Sequence, residues 1–247
     1  TSTVLNGTLT YSGDSQSATN VGSYTITPSG LTNTNYTITY INGGLTVNPA
    51  TLTYNATAAT STYGSTPSVN AGTVTGWKNT DNQANAATGT LLFATTATAT
   101  SNVGSYAITG SGLTANNGNY VFVQASVNNT ALTVNPATLT YNATAATSIY
   151  GSTPSVDAGT ITGWKNSDTQ ANATTGILLF STTATATSNT GSYAINGSGL
   201  TANNGNYTFV QAAGNATALT VNPATLTYNA TAATSIYGST PSVNAGT

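Results

Sequence analysis

Lys78 and Asp81, three residues apart, and Lys165 and Asp168, again three apart, are the recurring opposite charges of this sequence. A buried lysine amine beside an Asn or Asp acceptor, with an acid to assist, can condense to an intramolecular isopeptide bond, a covalent brace for an exposed protein. The setting Lys78-Asn79-Thr80-Asp81-Asn82-Gln83 is polar throughout. It therefore reads more simply as a solvated loop, because burying unpaired charges is costly. Trp77 and Trp164, each after a glycine, would stack a sugar at a loop mouth or close the end of a core. Thr96, Thr98 and Thr100 alternate with alanine. On a strand they would lie about 7 Å apart, facing an ice or carbohydrate lattice, or only solvent.

Nothing else in the composition supplies a reactive group. The acids are Asp14, Asp81, Asp157 and Asp168, the bases are the two lysines, and there is no Arg, Glu, His, Cys or Met. Imidazole bases, thiolate nucleophiles, Cys/His zinc sites and multi-carboxylate calcium cages are excluded, so neither enzyme chemistry nor a cofactor is expected. Two separated lysines cannot neutralise a nucleic-acid backbone, which excludes that partner. A charged fraction of 2%, against roughly 25% in ordinary globular proteins, points outside the cell or to its surface. Without cysteine there is no disulfide framework, so a hydrophobic core must hold the fold. No stretch reaches the roughly 20 apolar residues of a membrane helix, and residues 1–20 lack a signal-peptide pattern, so any secretion signal is expected elsewhere.

Asn-Pro-Ala-Thr-Leu-Thr-Tyr-Asn-Ala-Thr-Ala-Ala-Thr-Ser begins at Asn48, Asn135 and Asn222, a constant step of 87 residues. Residues 48–134 align on 135–221 without a gap and with about fourteen differences, most of them mild. The organisation is a partial repeat over 1–48, complete repeats over 49–135 and 136–222, and the opening of another over 223–247.

Within a repeat the apolar period is two. Leu52, Tyr54 and Ala56 share one face of Thr51–Ala56, and Leu91, Phe93, Ala97 and Ala99 share one face of the run from Gly89 to Thr100. Further strands are expected over Ser61–Gly64, Ser68–Trp77, Tyr106–Ile108, Tyr120–Val123 and Leu132–Val134, with Pro67 at a ladder start or kink. Six or seven short strands between Gly, Asn and Pro turns, with almost no helix, predict an all-β chain: tandem immunoglobulin-like antiparallel β-sandwiches strung in a rod. Gly-Ser-Tyr recurs at Tyr24, Tyr106 and Tyr193 after Asn-containing turns. Each is placed like a corner tyrosine whose hydroxyl bonds nearby backbone while its ring packs.

The order Tyr63-Gly64, Pro67, Gly76, Asp81, Gly89, Gly104-Ser105-Tyr106-Ala107-Ile108, Asn119-Tyr120 and Leu132-Thr133-Val134-Asn135-Pro136 resembles the MBG repeats, and the related YDG repeats, of very large secreted bacterial surface proteins. Val21-Gly22-Ser23-Tyr24 and Asn35-Tyr36 extend the likeness to the partial copy. The resemblance implies immunoglobulin-like sandwiches in adhesin stalks, with no catalytic residues to transfer. Family members often carry an acid just after the Tyr-Gly, where this chain has Ser65-Thr66.

The joins at Asn48-Pro49, Asn135-Pro136 and Asn222-Pro223 contain no flexible spacer. Proline fixes φ and holds the preceding residue extended, so neighbouring repeats should keep a fixed angle. The expected function is the structural shaft of an extracellular bacterial filament or adhesin. Its partners would be adjacent repeats of a longer chain or copies of itself, with strands from the two ends pairing between molecules. The alternative is a module whose Tyr- and Asn-rich loops bind surface glycans. Asn-x-Ser/Thr sequons at Asn6, Asn35, Asn55, Asn128, Asn142, Asn172, Asn196, Asn206, Asn215 and Asn229 are candidate glycan acceptors.

Overall fold

The computed structural model describes residues 4–243. Tertiary contacts divide the chain into two compact units, with the boundary between Asn135 and Pro136.

In the first unit, residues 4–48 form one antiparallel sheet in the order β1 (Asn6–Ser12), β2 (Gly22–Thr32), β3 (Gly43–Val47). Eight strands follow: β4 (Ala50–Ala56), β5 (Ala59–Thr62), β6 (Gly72–Thr75), β7 (Ala87–Ala94), β8 (Gly104–Tyr106), β9 (Thr109–Ala115), β10 (Tyr120–Gln124) and β11 (Leu132–Asn135). They pair as β10-β4-β6, β5-β11-β8 and β7-β9. The second unit repeats this arrangement with β12 (Ala137–Ala143), β13 (Ala146–Ile149), β14 (Gly159–Thr162), β15 (Thr174–Ser181), β16 (Gly191–Tyr193), β17 (Asn196–Ala202), β18 (Tyr207–Gln211) and β19 (Leu219–Asn222).

The chain is all-β, but the sheets are mixed where antiparallel pairing was expected. β4 runs parallel to β10 and β5 parallel to β11, as do β12 with β18 and β13 with β19. Each complete repeat thus opens and closes with two strands that cross together from one sheet to another. Alternation of apolar residues reports which face of a strand is buried; it carries no information about the direction of the neighbour.

The alternating faces bury apolar side chains inside each complete repeat. In 49–135, Leu52, Tyr54, Phe93, Ile108, Leu113, Tyr120, Leu132 and Val134 are buried. Tyr54 stacks on Phe122 at 5.1 Å and meets Phe93 edge-on at 6.3 Å. Tyr141 makes the same pair of contacts with Phe209 and Phe180. Aromatic pairs at such separations add about 0.5–1.5 kcal/mol beyond their buried area.

β7 and β9 shift register between Gly89 and Leu92. Gly89 and Gly112 face each other there with φ of +97° and +89°, and a Cβ on Gly89 would run into the Gly112 carbonyl oxygen. The bulge therefore requires glycine on both strands.

Several strand expectations are corrected. β7 stops at Ala94, so Thr96–Thr100 is no strand. Thr98 N–H donates to Ser101 Oγ and Ser101 N–H to the Thr98 carbonyl, closing a turn that local hydroxyls favour over a ladder. The Thr-Ala lattice reading fails with it. Of Ser68–Trp77 only Gly72–Thr75 is strand. Among the described residues helix is present as single turns: α1 (Gln83–Ala86), α2 (Gln170–Ala173) and five 3-10 segments. Asn82 starts α1 by accepting from Ala84 and Asn85 N–H, while Asn85 Oδ1 accepts the Asn82 N–H. The described residues 223–243 form no strand and are exposed throughout.

Candidate functional site

Lys78 and Asp81 begin and end a turn closed by Asp81 N–H donating to the Lys78 carbonyl at 2.9 Å, with Asn79 at φ +52° between them. Asn tolerates this left-handed conformation better than other side chains. The Asp81 carboxylate is claimed by a residue distant in sequence: the Tyr120 hydroxyl donates to Asp81 Oδ2 at 2.6 Å and accepts the Lys78 backbone N–H at 2.9 Å. Tyr207, Asp168 and Lys165 repeat this at 2.7 and 2.8 Å. Lys78 and Lys165 are both exposed. That overturns the isopeptide reading, which needs a buried amine; the lysines contribute backbone to this lock.

Trp77 and Trp164 are half-buried. Trp77 packs on Leu52, Ala86 and Tyr120, and its indole N–H donates to the Val74 carbonyl at 3.2 Å. It meets Tyr120 edge-on at 5.4 Å, as Trp164 meets Tyr207 at 5.5 Å. Both tryptophans are committed to the core end rather than offered flat to a sugar.

Burial and the Asp81 hydrogen bond raise the Tyr120 pKa above 10.0, outweighing the Lys78 N–H, which lowers it. A raised folded-state pKa means that the native protein holds this proton more tightly than the unfolded chain does. The stability it contributes is fully present below about pH 10 and is lost as pH climbs through the folded value. The urea midpoint of the unit containing 49–135 should be flat through neutral pH and fall above about pH 10. Tyr120→Phe should lower stability at pH 7 by about 1–3 kcal/mol and flatten the alkaline decline. An unchanged alkaline limb in the variant would show that Tyr120 is not its source.

This lock stands beside the join between residues 4–48 and 49–135. Asn119, next to Tyr120, engages the join with both ends of its side-chain amide and with its carbonyl. Its Oδ1 accepts the Val21 N–H at 2.8 Å, its Nδ2 donates to Asn20 Oδ1 at 2.8 Å, and its carbonyl accepts the Ala50 N–H at 2.9 Å. Asn48 and Pro49 pass directly from β3 to β4. A cleft of about 200 Å³ remains at the join, with Val21 and Val47 on one side and Lys78, Asp81 and Tyr120 on the other. The same residue types stand one repeat later in sequence at Asn102, Val103 and Asn206.

The hydroxyls of Tyr24, Tyr106 and Tyr193 donate to the carbonyls of Asn20, Asn102 and Asn189 at 2.7, 2.7 and 2.8 Å. Each bond spans four residues and pins the turn that precedes its strand.

The sequons divide by burial. Asn6, Asn35, Asn172, Asn196 and Asn229 are exposed, and Asn55 and Asn142 are half-buried. Asn128, Asn206 and Asn215 are buried, and the folded protein cannot carry glycans there. Asn128, 1% exposed, sits where the two parallel strand pairs change sheets. Its Oδ1 accepts the Ala56 N–H at 2.9 Å, and its Nδ2 donates to the Tyr54 carbonyl at 2.9 Å and to Gln124 Oε1 at 3.1 Å. Gln124 in turn exchanges two hydrogen bonds with the Gly110 backbone. Asn215 and Gln211 reproduce the network.

Sequence reasoning named Asn119 and Tyr120 without finding their hydrogen-bonding roles, and missed Gln124 and the structural use of Asn128. One signal for the last was present: Ser126, Val127 and Asn129 become Ala213, Gly214 and Ala216 in the next copy, whereas Asn128 stays Asn215. That persistence fits a sequon equally well; burial decides.

The family model described as the MBG domain (YGX type) matches residues 1–46, 52–133 and 139–217. No curated protein and no solved structure matches the chain.

Proposed function

Because the chain belongs to the MBG domain family of the YGX type, we propose that it is a segment of the shaft of an extracellular, surface-attached bacterial filament or adhesin. The observation that carries this reading is the join at Asn48-Pro49. A flexible linker would be rich in Gly and Ser and make no contacts. Here the chain passes from strand to strand while Asn119 bonds Val21 and Asn20 across the join. Two such bonds, at about 1 kcal/mol each, are enough to favour one orientation strongly over its alternatives. The near-absence of charge makes such a join insensitive to salt and to pH near neutrality. Corner tyrosines and the Asp81–Tyr120 lock serve the same end by stiffening each repeat.

The test is a distance distribution between spin labels at Ser23→Cys and Thr90→Cys, both exposed positions in a chain without native cysteine. A narrow distribution that broadens in Asn119→Ala is expected. A broad distribution in the unsubstituted background would remove the shaft reading. Reproducible hits on a glycan array would redirect it towards a binding module.

A further inference from the structure

Asn is followed by Gly at Asn6, Asn42, Asn117, Asn196 and Asn204. An asparagine amide can be attacked by the backbone nitrogen of the residue after it, and glycine, lacking a Cβ, obstructs that attack least. The fold treats these sequences differently. Asn6-Gly7 and Asn196-Gly197 lie within β1 and β17, and the Gly197 N–H is held by Gln211 Oε1 at 2.9 Å. Asn117-Gly118 and Asn204-Gly205 instead form exposed tips of single 3-10 turns, Asn116–Gly118 and Asn203–Gly205.

Each tip is anchored on both sides and open in the middle. Asn116 Nδ2 donates to the Asn85 carbonyl at 3.1 Å, and Asn119 N–H closes the turn on the Asn116 carbonyl at 3.2 Å. Asn203 and Asn206 repeat these contacts at 3.1 Å each. No neighbouring atom stands within 4 Å of where a Cβ on Gly118 or Gly205 would be, so water reaches both. Asn117 and Asn204 hold φ of +54° and +53°, a conformation unfavourable to a residue with a side chain. A 3-10 turn has poor hydrogen-bond geometry and opens easily. Asn79 and Asn166 share that backbone at φ +52° and +54° but precede Thr80 and Ser167, whose side chains hinder attack.

We propose that Asn117 and Asn204 are sites of spontaneous deamidation through a cyclic imide. The Gly118 nitrogen bonds to Asn117 Cγ and gives up its proton, and the Cγ–Nδ2 bond breaks with Nδ2 leaving as ammonia. Water then opens the imide at Cγ, giving an aspartyl residue, or at the main-chain carbonyl, giving an isoaspartyl residue whose backbone is one atom longer. At Asn117 that extra atom falls two residues before Asn119, whose amide bonds Val21 and Asn20. Conversion therefore loosens the join between residues 4–48 and 49–135. The modification goes beyond the shaft reading and is independent of it.

The experiment incubates the whole chain at mildly alkaline pH, with Asn42→Gln throughout because Asn42-Gly43 is also exposed ahead of β3. Each conversion adds one negative charge to a chain of formal net charge −2, so isoelectric focusing counts the events and peptide mapping with isoaspartyl-specific fragmentation places them. Isoaspartate at Asn117 and Asn204 should accumulate about tenfold faster than at Asn196, Asn79 or Asn166. Equal rates at Asn117 and Asn196, or no conversion at either tip, would overturn the proposal. Asn117→Gly keeps the turn, since glycine adopts positive φ freely, and should remove the event at that tip. The distance distribution between labels at Ser23→Cys and Thr90→Cys should broaden on incubation and stay narrow in Asn117→Gly. A narrow distribution in fully converted protein would overturn the effect on the join, whereas the shaft reading is judged on fresh protein.

Discussion

Asn128→Leu should cost the repeat over 49–135 about 2–4 kcal/mol, a large share of the roughly 5–15 kcal/mol that holds a typical domain. The side chain is nearly isosteric, so no cavity or overpacking of consequence is made. What disappears is the acceptor of the Ala56 N–H and the donor to the Tyr54 carbonyl and Gln124 Oε1. Ala56 loses its partner where β4 leaves its sheet, and an orphaned, partly buried N–H costs about 1–3 kcal/mol. Asn128→Asp should be no better, since a carboxylate oxygen would then face the Tyr54 carbonyl and Gln124 Oε1. Asn129→Ala, at the exposed neighbour that is Ala216 in the next copy, should change stability by less than about 0.5 kcal/mol. Urea titration of the whole chain reads all three. Only the transition of the first unit should move, and an unshifted midpoint in Asn128→Leu would show that the network is dispensable.

Leu52→Ala and Leu139→Ala should each destabilise their own unit by about 2–5 kcal/mol, because each removes a wholly buried side chain and leaves a cavity. The equivalent Leu226→Ala should change the melting of the dilute chain by no more than about 0.5 kcal/mol. Position, sequence context and substitution are the same; the neighbours are not. Calorimetry of the three variants therefore separates burial from propensity within a single molecule. A loss at Leu226 comparable to that at Leu139 would mean that the last segment is packed rather than exposed.

The parts of this fold that were legible in the sequence are those that depend on a strand's own faces. Leu52 and Tyr54 declare a buried side because Thr51, Thr53 and Asn55 alternate with them, and the 87-residue step declares the repeat. Neighbour relations were not legible. Parallel and antiparallel partners leave the same alternation, so the pairing of β4 with β10 emerges only in three dimensions. The Thr-Ala alternation ran on past Ala94 although hydroxyl groups had already turned the chain. Lys78 and Asp81 suggested each other by nearness, while the partner of Asp81 stands 39 residues away. Asn128 looked like a glycan acceptor because a sequon describes three residues, and the burial that forbids the modification comes from strands elsewhere in the repeat.

The parallel pairing of opening and closing strands has a consequence for tension. Stretching a chain of repeats draws the start of β4 and the end of β11 in opposite directions. Between parallel neighbours this load is shear: five residue pairs between β4 and β10 and four between β5 and β11 lie across the pull and must yield together. A hairpin pulled at its open end peels one bond at a time and gives way at low force. Closing each repeat by strands that run side by side in the same direction makes rupture a single high-barrier event, governed by its rate rather than by the equilibrium stability of the unit.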